Sequence, residues 1–118
     1  MTGSSGARRI RVRVRLPAGA APPAGSILHV RVEDISRSDQ PSTVVVERDV
    51  ELPERGETLV IDVPAERIDP QADYNVFLHL DAGSSGEVES GDYLSPQIHP
   101  VLTHGASDLV EAELVRVK

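Results

Sequence analysis

Four histidines are the side chains of this 118-residue chain with the most versatile chemistry, because a neutral imidazole binds metal ions and a charged one donates protons. None forms a short ligand pair such as His-x-His, and the chain has no cysteine to complete a common structural zinc site. We therefore predict scattered surface histidines, with no cofactor and no metal site. The sequence leaves open whether they converge in space. His99 and His104, which flank a Pro-Val-Leu-Thr segment, are the candidate ligands if a metal binds.

Acid–base or nucleophilic catalysis is the next chemistry to consider, since 19 acidic residues and several serines are present. Hydrolysis by paired carboxylates needs two of them held in a cleft, whereas these acids fall on turns and on the polar faces of strands. The chain has no Gly-x-Ser-x-Gly turn, glycine-rich phosphate loop or calcium-loop spacing. The prediction is that this protein is not an enzyme.

Phe77 stands out in a chain with only 3% aromatic residues. The alternation that turns Tyr74, Val76 and Leu78 inward turns Phe77 and His79 outward. An exposed ring can anchor a protein partner, so Phe77, His79 and Tyr93 are predicted to bind a protein or peptide. The alternative is that the ring lies under a loop or in a second small cluster.

The composition excludes several classes of ligand. A net charge of −7 repels nucleic acids, and three aromatic residues cannot build a base-stacking platform. No apolar stretch approaches the roughly 20 residues of a membrane span. As written, the sequence predicts a cytoplasmic protein; an upstream lipoprotein signal would instead place it in the cell envelope. Unpaired sheet edges would also allow a homodimer.

The elements that must position these residues are strands. We expect a flexible tail over 1–7 and a single domain over 8–118, an all-β antiparallel two-layer sandwich of about seven strands, immunoglobulin/transthyretin-like. Arginines alternate with Ile10, Val12 and Val14 in the first strand, so acidic cross-strand neighbours such as Glu111 and Glu113 are expected. The predicted strands cover 8–16, 26–35, 43–49, 57–63, 74–80 and 109–117, with short irregular strands over 92–103 and one helical turn over 64–70.

Several short motifs follow one another in the order found in a known family. They are Leu16-Pro17, the run from Leu28 to Asp39 that ends in an Asp-x-Ser-x-x-Asp turn, Ile68-Asp-Pro followed by Tyr74, Pro100-Val-Leu-Thr-His-Gly, and the closing strand from Val110 to Val117. With them the chain resembles the YbaY-type lipoprotein family, which is related to the YscW-type pilotins of type III secretion. The resemblance covers residues 10–117.

That resemblance implies a non-enzymatic β-sandwich. It also implies a protein partner, because pilotin relatives bind a helical segment of a secretin subunit and help to place its ring in the outer membrane. The first functional hypothesis is accordingly a binding or assembly module that offers a sheet face or edge to a protein. The second is a sandwich that binds a metal or a small ligand through surface histidines.

Overall fold

A computed structural model of the chain describes residues 7–23, 25–37, 39–51, 58–83 and 87–117. Within these ranges it contains nine strands and one 3₁₀ turn, Ala65–Arg67. The strands are β1 (Ala7–Arg15), β2 (Ile27–Asp34), β3 (Thr43–Glu51), β4 (Thr58–Pro64), β5 (Tyr74–Asp81), β6 (Tyr93–Leu94), β7 (Pro100–Val101), β8 (Leu109–Glu113) and β9 (Val115–Arg116). The 3₁₀ turn occupies the place of the predicted helical turn. Most of the predicted tail, and the tip of the glycine- and serine-rich loop over 84–86, lie outside the described residues.

The strands form two sheets, as the sandwich prediction requires. The smaller sheet has the order β4-β1-β8, and the larger has the order β3-β2-β5-β6-β9, with β7 pairing the start of β5. Most pairs are antiparallel, but β1 and β8 are parallel, with Arg11 opposite Leu109. This pair departs from the predicted antiparallel order because β8 reaches the smaller sheet by crossing over from the larger one rather than through a hairpin.

The closing segment differs from the single predicted strand. It forms two strands in different sheets, and the break falls at Leu114, whose N–H donates to the carbonyl of Arg15 at 2.8 Å. The side chain of Leu114 is buried in the core. The end of the chain therefore connects the two layers covalently.

The core lies between the sheets and is filled by the inward half of each alternating strand. Its side chains are almost entirely aliphatic, and each contributes roughly 1.5–3 kcal/mol by leaving water. The inward orientation predicted for Tyr74, Val76, Leu78 and Leu80 is confirmed, since all four are buried. The other large members are Ile10, Val12, Leu28, Val30, Val32, Val46, Ile61, Val63, Tyr93, Val101, Leu102, Val110 and Leu114.

The outer face of the smaller sheet carries the alternating arginines. Arg13 is opposite Glu111 and Arg15 is opposite Glu113, which confirms the expected acidic neighbours. The Arg13–Glu111 nitrogen–oxygen distance is 3.8 Å. Such exposed pairs contribute about 1 kcal/mol or less, so this face is mainly a solvated surface.

No helix in the described part of the chain has the length and hydropathy needed to cross a membrane.

Candidate functional site

A pocket of about 240 Å³ opens at the end of the larger sheet where β2 ends and β5 begins. Its lining is mostly apolar, and one member, Ile98, is 63% exposed. The apolar residues are Ile35, Tyr74, Ile98, Pro100, Val101 and Ala106, and the polar ones are Asp73, Thr103 and His104. A concave apolar surface with a few polar groups at its mouth is the usual form of a binding site.

The wall of this pocket is a segment with unusual backbone geometry. Thr103 N–H donates to the carbonyl of Val101 at 2.8 Å, and Leu102 between them has a φ of 71°, so the three residues form a γ-turn. His104 also has a positive φ, of 57°. Left-handed backbone costs about 1–2 kcal/mol for a residue with a side chain. The burial of the Leu102 side chain in the core offsets that cost.

Three hydrogen bonds from other parts of the fold hold the wall in place. The Thr103 hydroxyl donates to the carbonyl of Ala72 at 2.6 Å, and the His99 N–H donates to the Asn75 side-chain oxygen at 2.7 Å. The Arg8 guanidinium donates to the carbonyl of Leu102 at 3.3 Å. The wall is thereby attached to β5, to the turn before it and to β1.

Tyr74, another lining residue, is held by the end of the 3₁₀ turn and the residues just after it. The N–H of Asp69 donates to the Tyr74 hydroxyl at 2.8 Å, and that hydroxyl donates to the carbonyl of Arg67 at 3.3 Å. Tyr74 is buried, so its ring forms a rigid part of the lining. These contacts give a structural reason for an Ile-Asp-Pro run followed by a tyrosine.

The two histidines of this region have different environments. His104 lies at the pocket mouth, with its Nε2 3.1 Å from Asp73 and both side chains exposed. His99 is partly buried, and its Nε2 has no hydrogen-bond partner among the described residues. Burial lowers the pKa of His99 below its ordinary value, which favours the neutral ring.

The outer face of the larger sheet forms a second candidate surface around Phe77. Phe77 is opposite Arg31 in the β2–β5 pairing, and the guanidinium carbon lies 5.0 Å from the ring centroid. This contact, typically worth about 0.5–1 kcal/mol at an exposed site, leaves the ring half-buried.

A polar cluster lies farther along the same face, at the end of β5. It consists of His29, His79, Asp81 and Asp92, which we call the histidine–aspartate cluster. His79 Nε2 is 2.8 Å from Asp92, His29 Nε2 is 3.3 Å from Asp81, and the two ring centroids are 5.3 Å apart. Asp81 and Asp92 are each 1% exposed.

Hydrogen bonds set the ionisation of this cluster. Burial by itself would raise the pKa of Asp92, but hydrogen bonds from His79 and from the N–H groups of Glu89 and Ala82 lower it overall. Burial likewise lowers the pKa of His29, but the carboxylates of Asp49 and Asp81 outweigh it and raise that pKa. These contacts therefore favour the ionised form of Asp92 and the protonated form of His29.

The family model of the type III secretion system lipoprotein chaperones (YscW) matches residues 5–114. The chain belongs to the YscW family. The predicted relation to YscW-type pilotins is thus confirmed, and the match includes every described strand except β9.

Comparison with a solved structure supports the fold of this YscW-family chain independently of the family model. An alternative pilotin from the type II secretion system of Vibrio cholerae superposes with a TM-score of 0.78 at 19% sequence identity, covering 95% of this chain and 98% of that one. At this identity the likeness shows the fold. No protein with curated annotation matches the sequence. The comparisons favour the protein-binding hypothesis over the metal- or small-ligand-binding one and give no support for a homodimer.

The predicted partner-binding residues do not share one surface of this YscW-family chain. Tyr93 is opposite Leu80 and is buried in the core, whereas Phe77 and His79 lie on the opposite face of the sheet. His79 is 5% exposed because the segment that contains Asp92 covers it. Their role in partner binding stays a prediction.

The candidate metal ligands are also separated from the cluster. In the described residues, the group that could hold a metal ion is His79, Asp81 and Asp92, and it contains neither His99 nor His104. Sequence reasoning missed Ile98 and the rest of the pocket. The signal that could have found them was the Pro100-Val-Leu-Thr-His-Gly motif, because four of its residues line the pocket.

Proposed function

We propose that this protein is a non-enzymatic pilot or chaperone of a secretion system that binds a helical segment of a secretin subunit. The observation that carries the proposal is the open apolar pocket beside the exposed side chain of Ile98. The family description of a lipoprotein chaperone and the pilotin relative support a protein partner. The same description supports a place in the cell envelope.

The pocket suits one apolar anchor of a helix rather than a small metabolite. Its volume of about 240 Å³ holds one or two aliphatic side chains, and Ile98 at its edge gains burial when a partner covers it. Helices that dock into grooves present such anchors at every third or fourth residue. Strained backbone held by several hydrogen bonds also keeps the pocket open before the partner arrives, which lowers the ordering cost of binding.

Charge sets a further requirement on the partner. Asp73 at the mouth is exposed, and the chain as a whole carries a net charge of −7. A segment with lysine or arginine beside its apolar anchors would therefore be attracted, and an acidic one repelled.

The test uses labelled peptides that tile the secretin subunit of the source organism, with binding measured by fluorescence anisotropy. Ile98→Asp should weaken the best peptide roughly tenfold or more, because it places a charge where an anchor must be desolvated. Val60→Asp is the matched control, since Val60 is 54% exposed on β4, in the smaller sheet. Equal affinity of both variants, with both folded, would contradict the pocket as the binding site.

A third variant separates the pocket from the surface around Phe77. Phe77→Asp removes the ring beside Arg31 and should leave peptide binding close to wild type if the pocket is the site. Loss of binding in Phe77→Asp together with full binding in Ile98→Asp would move the docking site to the outer face of the larger sheet.

A further inference from the structure

The histidine–aspartate cluster brings four possible metal ligands together from three separate parts of the chain. His29 comes from β2, His79 and Asp81 come from β5, and Asp92 comes from the residue just before β6. Ligand atoms of His79, Asp81 and Asp92 all lie within 4.8 Å of one another. His29 Nε2 adds a fourth, 3.3 Å from Asp81.

The spacing is close to that of a tetrahedral metal site. Zinc binds imidazole nitrogen and carboxylate oxygen at about 2.0–2.2 Å, which places neighbouring ligands about 3.3 Å apart. The His29–Asp81 distance already has this value, and His79 and Asp92 are at 2.8 Å. The ligand atoms of His79, Asp81 and Asp92 lie within 4.8 Å of one another, so side-chain movements of about 1.5 Å or less bring these three to that spacing. His29 joins them by turning from its place beside Asp81 toward the shared ion.

Burial gives the cluster a reason to take up a cation. Asp81 and Asp92 are carboxylates that are both almost fully buried within this cluster. Buried carboxylates are stable when they are paired with cations or coordinate metals. A divalent ion between them balances both charges at once.

The surrounding contacts already orient the ligands. The Nδ1 of His29 is 2.6 Å from the Asp49 carboxylate, so a His29 ring that binds a metal ion through Nε2 would donate its Nδ1 proton to Asp49. Carboxylate–histidine–metal arrangements of this kind fix the imidazole tautomer. The Asp92 carboxylate is held by the N–H groups of Ala82 at 2.9 Å and Glu89 at 3.0 Å.

We propose that the histidine–aspartate cluster binds one Zn²⁺ ion through His29, His79, Asp81 and Asp92. The donor set of imidazoles and carboxylates, with no thiolate, suits zinc. The ion would fasten β2, β5 and the segment over 87–92 to one another on the outer face of the larger sheet. The pocket at Ile98 lies at the other end of β5, so this site is independent of the partner-binding proposal.

The experiment titrates Zn²⁺ into the chelator-treated full chain, expressed without a histidine tag, in competition with a chromogenic zinc indicator. One ion per chain should bind in the micromolar range or tighter, and the thermal midpoint should rise with Zn²⁺ because the ion binds only the native state. Co²⁺ should give the intense visible absorption of a tetrahedral site. Absence of stoichiometric Zn²⁺ binding overturns the proposal.

Variants locate the site. His29→Gln changes the most accessible of the four ligands and should weaken Zn²⁺ binding at least tenfold, while Asp49→Asn, which alters only the orienting carboxylate, should weaken it about tenfold. His104→Gln is the control outside the cluster and should bind as wild type. Wild-type affinity in His29→Gln, or a loss in His104→Gln, places the ion elsewhere. Circular dichroism checks each fold, and Asp92→Asn provides a second ligand variant if His29→Gln is unfolded.

Discussion

The two ends of β5 lead to regions of opposite character. Tyr74 at its first residue lines an open apolar pocket, and Asp81 at its last residue lies in a closed polar cluster about 23 Å away. The pocket is shaped by strained backbone held by hydrogen bonds to main-chain groups. The cluster is held together by contacts between its side chains and by main-chain N–H groups that donate to Asp92. One strand thus supports a surface suited to recognition and an interior suited to stability.

Because the cluster is buried and the pocket is open, we expect a single substitution in the cluster to lower the free energy of unfolding more than one in the pocket. Asp92→Ala removes a buried carboxylate that accepts hydrogen bonds from His79, Ala82 and Glu89. Measured by urea denaturation without added metal, the loss should be about 3–5 kcal/mol, as for a buried pair that loses one partner.

Asp49→Ala is the matched control for that change. Asp49 also bonds a cluster histidine, but its side chain is 56% exposed, so the loss should be about 1 kcal/mol or less. Similar losses of unfolding free energy in Asp49→Ala and Asp92→Ala would contradict the expectation that the buried carboxylate contributes more stability than the exposed one.

The strain in the pocket wall is tested by comparing Leu102→Ala with Leu102→Gly. Both variants lose the buried side chain and should be less stable than wild type by about 2–4 kcal/mol. Glycine adopts a φ of 71° without the steric cost that alanine meets, so Leu102→Gly should be the more stable by about 1 kcal/mol. The reverse order, read from denaturation midpoints, would contradict a left-handed Leu102.

The smallest expected effect concerns the pH dependence of His99. Its pKa is lowered in the folded state by burial, so the unfolded chain takes up a proton first as the pH falls below about 6.5. Wild type should therefore lose stability relative to His99→Gln between pH 7 and pH 5. His29, whose pKa is raised, is present in both proteins, so its contribution to the pH dependence is the same in both and does not affect the difference between them. Parallel stability–pH curves would count against a neutral His99.

The strands were the part of the fold that the sequence predicted well. Alternation in Ile10–Val12–Val14 and in Val76–Leu78–Leu80 is a local signal, since it depends only on which face of a strand each residue occupies. The parallel pairing of β1 with β8 and the break at Leu114 depend on where distant strands lie. Local periodicity contains no such information.

The candidate sites were harder to predict for the same reason. His79 does lie on the face opposite the core, as the alternation indicates, but the segment that contains Asp92 returns over it and buries it. Leucine rarely adopts a positive φ, so the residue types around Leu102 do not predict the turn that forms there. The pocket depends on both that turn and the approach of Ile98.

The parallel pairing of β1 with β8 has a consequence for the order in which the protein forms. Arg11 and Leu109 are neighbours in space although nearly the whole chain separates them in sequence. During synthesis, β1 emerges early and keeps one edge unsatisfied until the ribosome has released residues 109–113. Closure of the smaller sheet therefore waits for β8, and until then the nascent β1 strand has an open edge that favours aggregation.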